Sequence, residues 1–293
     1  MLDIFSIPLP ALFGQLLLGL INGAFYAMLS LGLAVIFGML NVINFTHGAQ
    51  YMLGAFAAWL MLTHLEIPFW ASLVLAPLIV GLFGVVIERL LLKRIYHLDH
   101  LYGFLLTFGL ALVIEGLFQW QWGSSGAPYP APIPGGYNLG FMFMPAYRGF
   151  VVVAALVICL ATWYGIERTR LGAYLRAATE NPTLVRAFGI NVPRLITLTY
   201  GLGVGLAALA GVLAAPIQQV SALMGSNLVL VVFAVVVIGG MGSIMGSIVT
   251  GFGLGLIEGF TKVVYPPASN TVIFVVMAIV LMVKPAGLFG QTK

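Results

Sequence analysis

The chain has 293 residues, of which 61% are hydrophobic and 7% charged, with a formal net charge of +4. A soluble domain carries about 25% charged residues, so a water-soluble fold of this size is excluded and the bilayer is the solvent. The small positive excess reports membrane topology and contact with anionic lipid, not nucleic-acid binding.

A membrane-crossing helix needs about 20 mostly apolar residues. Residues 12–40 are longer than one crossing requires and are interrupted at Asn22-Gly23 and Gly38. They read as one long tilted helix or as a helix plus a broken piece. The stretch 41–50, NVINFTHGAQ, is polar and helix-poor, and apolar 51–63 follows. A turn at Glu66-Ile67-Pro68 leads into a span over 69–87. Glu88-Arg89 and Lys93-Arg94 close that span with a basic cluster and place its end in the cytoplasm. Residues 101–120 cross outwards. Segment 121–146 is rich in Pro, Gly and aromatics and carries no charge, so it reads as an external interfacial loop. Trp120, Trp122, Tyr129 and Tyr137 are expected at headgroup level.

Residues 149–166 cross back, and 195–215 cross out again. Residues 228–238 are apolar but too short to span, and they run into Gly239-Gly240-Met241-Gly242-Ser243. This pattern predicts a half-helix, a glycine break and a new helix over about 247–263. Residues 271–283 form the last span, stopped at Lys284-Pro285. The fold class is therefore all-α: a polytopic transmembrane helical protein with about eight or nine spans, some broken or re-entrant. No compositional boundary divides residues 1–293, so one membrane domain is expected. Cys159 lies mid-way along an apolar run and reads as packing. Asp3 and the lack of a basic stretch before the first apolar run predict that the first span is retained rather than cleaved.

Residues 167–194 hold seven charged side chains of a total made up of 12 Lys+Arg and 8 Asp+Glu. Five of the seven are arginines, which places this island in the cytoplasm. Its composition is that of folded structure, not of a linker. Asn181-Pro182 has the form of an N-cap with proline at the first helical position, and Gly189 that of a glycine just past a helix end. Two short helices joined at a cap are expected, with Leu184, Val185 and Phe188 free to dock in a partner's groove and Arg176 and Arg186 at its rim. A charged loop serving only to set topology is the plainer alternative.

Ionisable groups inside a membrane are costly and are functional candidates by default. Glu258 and Lys262 are four apart on one helix and read as a neutralising pair. Glu115, with Gln119 one turn on, reads as an inter-helix contact. His47 has no second His, Cys or carboxylate nearby, so it reads as shaping the break at 41–48, not as a metal ligand. Asn41 and Asn44 either line a path or cap the next helix. Gly239, Gly240 and Gly242 either unwind the backbone beside a cavity or permit tight packing. No residue set suggests catalysis, and no metal or cofactor is expected.

Several strings then converge. Arg170, Gly172, Arg176-Ala177, Asn181, Ala187 and Gly189-Ile190-Asn191 resemble the cytoplasmic coupling segment of ABC-importer permeases. Asn44-Phe45-Thr46-His47-Gly48, Ile87-Glu88-Arg89, Ile238 to Ser243 and Lys284 to Gly290 resemble further elements of the branched-chain amino acid permeases of the LivH type, in the same order along the chain. Thr46 and Lys284 depart from that pattern, and the loop 121–146 matches it poorly.

The resemblance implies an importer permease that takes a small solute from an external binding protein. It implies a second homologous permease subunit and two ATP-binding subunits as partners, with membrane lipid around them, in a bacterial plasma membrane. No G-x-x-x-x-G-K-[S/T] occurs in the sequence, so ATP hydrolysis is expected on separate subunits. Arg170, Gly172, Arg176, Ala177, Asn181, Arg186 and Gly189 are then the ATPase-coupling candidates. Asn41, Asn44, His47, Gly239, Gly240, Gly242 and Ser243 are the translocation-path candidates. The rival reading is a self-contained secondary transporter or channel for a small polar solute such as urea or an amide.

Overall fold

A computed structural model describes residues 8–40 and 44–290. Among the described residues there are eleven α-helices and one short hairpin. In chain order these are α1 (Leu9–Leu40), α2 (Thr46–Leu65), α3 (Phe69–Leu90), α4 (His100–Trp122), the strands β1 (Gly136–Asn138) and β2 (Phe143–Pro145), α5 (Ala146–Glu167), α6 (Arg170–Glu180), α7 (Pro182–Ala187), α8 (Val192–Ala214), α9 (Ser226–Gly239), α10 (Ile244–Val264) and α11 (Val272–Val283). Six helices, α1, α3, α4, α5, α8 and α10, are long and apolar enough to cross a membrane, while α9 and α11 are apolar but shorter. The chain is an all-α, multi-pass membrane protein.

The first apolar run is a single helix of 32 residues. At about 1.5 Å per residue it spans roughly 48 Å, more than a hydrocarbon core of about 30 Å. Asn22-Gly23 does not break it, because both residues are used sideways. Asn22 Nδ2 donates to Glu258 Oε1 at 3.4 Å. A Cβ on Gly23 would lie 3.0 Å from Phe252 Cα, so glycine there admits α10.

The break at 41–50 is shorter than its composition suggested. Helix α2 begins at Thr46, inside the stretch read as helix-poor. Its polar residues find partners on α4. The Phe45 amide donates to Thr107 Oγ1 at 3.2 Å, and Thr46 Oγ1 donates to the Thr107 carbonyl at 2.9 Å.

The residues cluster into two compact units, each discontinuous in sequence. One comprises 1–30, 131–160 and 231–293; the other comprises 31–130 and 161–230. In the first, the start of α1 packs on α10 through facing small residues: a Cβ on Gly19 would strike the Gly255 carbonyl, and one on Gly251 would lie 2.6 Å from Ala27 Cα. Lipid tails are as apolar as leucine, so close backbone approach drives such packing in place of hydrophobic exclusion. In the second unit, α8 lies against α2 and α3, around a core that includes Ile36, Val80, Tyr200, Val204 and Ala208.

The segment 121–146 folds back on itself. Strands β1 and β2 pair antiparallel, Tyr137 opposite Met144. Trp120 and Tyr137 are well exposed, but Tyr129 is buried against Phe69.

Candidate functional site

The charged island is a built elbow. Helix α6 folds back beside the end of α5 because residue 172 is glycine: a Cβ there would collide with the Ile166 carbonyl oxygen. Arg176 locks the same corner. Its Nη1 donates to the Ile166 carbonyl and to Glu167 Oε2, each at 3.3 Å. A guanidinium on free C-terminal carbonyls satisfies groups a helix leaves open. Asn181 caps α7, its Oδ1 accepting the Leu184 amide at 3.0 Å. Gly189 then ends α7 with φ +82°. The Gly189 amide donates to the Arg186 carbonyl at 2.9 Å and the Ile190 amide to the Val185 carbonyl at 3.4 Å. These paired bonds make a Schellman motif.

The elbow has an inner and an outer face. Leu175, Ala178 and Val185 join Met39 of α1 and Val192 of α8 in a small buried cluster. Val185 packs mostly into this cluster while also lining the floor of the outer groove; it is also the residue whose contact with Ile190 accompanies a Schellman end. The outer face presents Leu184 and Phe188, 54% and 77% exposed. With Tyr174 and Ala177 they line an open groove of about 480 Å³. Arg170 and Arg186 are exposed. Arg176 serves the corner itself.

Asn41 lies outside the described residues. Asn44 and His47 are each 1% exposed, in the second unit. Asn44 Nδ2 donates to Gln50 Oε1 at 3.3 Å, and Gln50 Nε2 donates to Tyr200 Oη at 3.2 Å. The Asn44 Oδ1 atom accepts no hydrogen bond from the described residues. The His47 ring sits against Gly32, where a Cβ would lie 3.1 Å from Cε1. The start of α2 is therefore a buried amide–phenol chain reaching α8. Gln50 and Tyr200 were not singled out from sequence, since a lone Gln and a lone Tyr in apolar helices carry no signal.

The glycine segment lies in the first unit. Helix α9 stops at Gly239, Gly240 and Gly242 take φ of +101° and +83°, and Ser243 Oγ caps α10 by accepting the Gly246 amide at 3.1 Å. The C-terminal segment closes this break. The Leu288 amide donates to the Ile238 carbonyl at 2.7 Å, and the Phe289 amide to the Gly239 carbonyl at 3.0 Å. Lys284 Nζ donates to the Leu288 carbonyl at 2.7 Å and holds the strap in its turn. The two C-terminal carbonyls of α9 are thus satisfied by a segment about fifty residues later in the chain.

The family described as branched-chain amino acid transport system, permease component, matches residues 15–283. The chain belongs to this permease family. The high-affinity branched-chain amino acid transport system permease protein BraD of Pseudomonas aeruginosa is 27% identical to it over 294 residues, covering 95% of this chain and 96% of that protein. LivH of Escherichia coli K12, another high-affinity branched-chain amino acid transport permease, is 26% identical with the same coverage. The ribose import permease protein RbsC of Escherichia coli K12 matches over 107 residues, at 33% identity and 33% of each chain. No solved structure matches.

The buried charges of this permease are partnered. Glu258, on α10, pairs with Lys262 and accepts Tyr26 Oη at 2.6 Å. Its neutralising partner was legible four residues on, but Tyr26 and Asn22 were not. Glu88, read only as part of a boundary motif, is 1% exposed and accepts Thr197 Oγ1 at 2.7 Å and Tyr96 Oη at 2.9 Å. Burial and the adjoining Glu88 carboxylate push the Tyr96 phenol far above its ordinary value, so it remains a donor.

Proposed function

We propose that this chain is the membrane permease subunit of an ATP-binding-cassette importer in a bacterial plasma membrane. It would receive a small solute, branched-chain amino acids in the first place, from an external binding protein. Two separate ATP-binding subunits supply the energy, and a second homologous permease completes the pathway. The observation that carries this reading is the elbow. Its shape is held from within by Gly172, Arg176, Asn181 and Gly189, and its free face offers Leu184, Phe188 and Ala177 between Arg170 and Arg186. A loop that only sets topology needs charge but neither caps nor an apolar outer face. The relatives' descriptions as amino acid transport permeases support the solute class.

Asn41, Asn44, His47, Gly239, Gly240, Gly242 and Ser243 are proposed as path residues. Irregular backbone at membrane depth is viable only where protein or water surrounds it. The unsatisfied Asn44 Oδ1 supports a polar solute or water there.

Reconstitution tests both statements. The chain alone in liposomes is expected to take up no labelled leucine, and the assembled complex to do so only with ATP. In that complex, with Cys159 replaced, cysteines at 44 and 243 should react with a water-soluble thiol reagent to an extent that ATP changes. Robust uptake by the chain alone removes the importer reading. Cysteines that react only with a lipid-phase probe remove the path assignment.

A further inference from the structure

Helices α3 and α8 of the second unit run antiparallel and touch along a glycine seam. Val85 approaches Gly201, whose Cβ would lie 2.7 Å from Val85 Cγ2, and a Cβ on Gly205 would lie 3.4 Å from the Pro77 carbonyl. Leucines flank the seam: Leu82, Leu198 and Leu202 are 65%, 61% and 54% exposed. Glycines below and leucines beside them leave an open, almost wholly apolar groove of about 400 Å³, within the size range of about 300–1,000 Å³ typical of ligand sites. On α8 it runs from Leu198 to Leu209. Eleven steps of about 1.5 Å give roughly 16 Å, close to half of a hydrocarbon core of about 30 Å.

The cytoplasmic mouth of this groove is charged. Arg89 lies one helical turn beyond Val85 on α3, and Arg194 one turn before Leu198 on α8. The bond between Glu88 and Thr197 ties these two helix ends together, so both arginines belong to the same mouth. Both are exposed, and neither forms an ion pair among the described residues. Glu88, the carboxylate next to Arg89 in the chain, is buried and engaged by two hydroxyls, so it does not reach out to neutralise them.

We propose that this groove is a binding site for an anionic glycerophospholipid of the cytoplasmic leaflet, with one acyl chain lying between α3 and α8 and the phosphate held by Arg89 and Arg194. The charge pattern favours lipid over a partner's helix. An apolar helix would fill the groove but leave two guanidiniums at its mouth without an anion. An inner-leaflet phosphodiester supplies the charge and the chain together, at the spacing the groove provides. The site shares Arg194 with the charged stretch 167–194 but uses none of the coupling or path candidates, so its test does not depend on transport.

The experiment uses the full chain with Cys159 replaced and a fluorophore on a cysteine at 202, in nanodiscs of phosphatidylcholine. Phosphatidylglycerol or phosphatidylcholine with brominated acyl chains is then titrated in as the quencher. Two basic side chains at a membrane surface support a preference of roughly tenfold for the brominated phosphatidylglycerol. Arg89→Gln with Arg194→Gln should abolish the preference while quenching by either lipid persists, and Arg89→Lys with Arg194→Lys should keep most of it. Both arginines are exposed, so neither pair of changes threatens the fold. Equal quenching by the two lipids in the parent protein overturns the headgroup assignment. Absence of quenching by either overturns the site, because the groove is then covered by protein.

Discussion

Gly189 and Gly240 both end a helix in the left-handed region, at φ +82° and +101°, yet they are held there for different reasons. Around Gly189 there is open space: a Cβ would meet nothing within 4 Å. Its requirement is conformational only, and the motif it closes is local, built from residues 185 to 190. Around Gly240 a Cβ would lie 2.5 Å from the Gly290 amide nitrogen, and Gly287 presses on it in turn. Its requirement is conformational and steric together, and the motif it closes joins segments far apart in sequence. The exposed elbow is thus ordered by caps that any solvated helix end could use. The end of α9 is ordered by a strap that fits only because three glycines leave room for backbone against backbone. A single residue type, at the same kind of position, carries two separable demands.

Substitution separates them. The largest effect is expected at Gly240→Ala. The left-handed conformation costs an L-residue about 1–2 kcal/mol, and the collision with residue 290 adds to that. Detergent-purified protein should unfold at a clearly lower temperature, and Gly240→Asn should be no better, since asparagine relieves the conformation but not the clash. Restoration by Asn would mean that the strap does not press on this residue. The middle effect is expected at Gly189→Ala, a local loss of about 1–2 kcal/mol from the same conformational term alone, read as faster amide exchange over residues 184–190 with global unfolding unchanged. Here Gly189→Asn should recover most of the protection, and failure to recover would place an unrecognised neighbour at that corner. The smallest effect is expected at Arg176→Gln. The Arg176–Glu167 pair is half-exposed, and exposed pairs contribute below about 1 kcal/mol. Exchange at the α5–α6 corner should rise slightly at low salt and match the parent at high salt.

The elbow was the part most open to reading from residues alone. Asn181-Pro182 and Gly189 are nearest-neighbour signals, and the structure uses them as caps at those positions. The glycine break was legible as a break, and Ser243 does cap the helix after it. Its partner was not, because nothing in Ile238 or Gly239 announces that residues 288 and 289 will donate to their carbonyls. The polar stretch 41–50 misled for the same reason: its composition does not announce that Thr107 of α4 will bond Phe45 and Thr46 at the start of α2. Val185 was given to a partner, since within a six-residue helix the apolar side facing the chain and the one facing outwards look alike.

What the sequence determined by itself was the solvent, the helical class and the positions where helices stop. All of these rest on composition, on charge and on chain-local hydrogen bonding, which need no distant partner. Tertiary structure alone decided which buried polar groups meet. Glu258 with Tyr26, Glu88 with Thr197 and Gln50 with Tyr200 are separated by more than a hundred residues in the chain. In an apolar medium an unpaired polar group is costly, so each must find a partner. Which one it finds depends on how closely the glycine-lined helices pack, and that is a property of three-dimensional fit that no single segment carries.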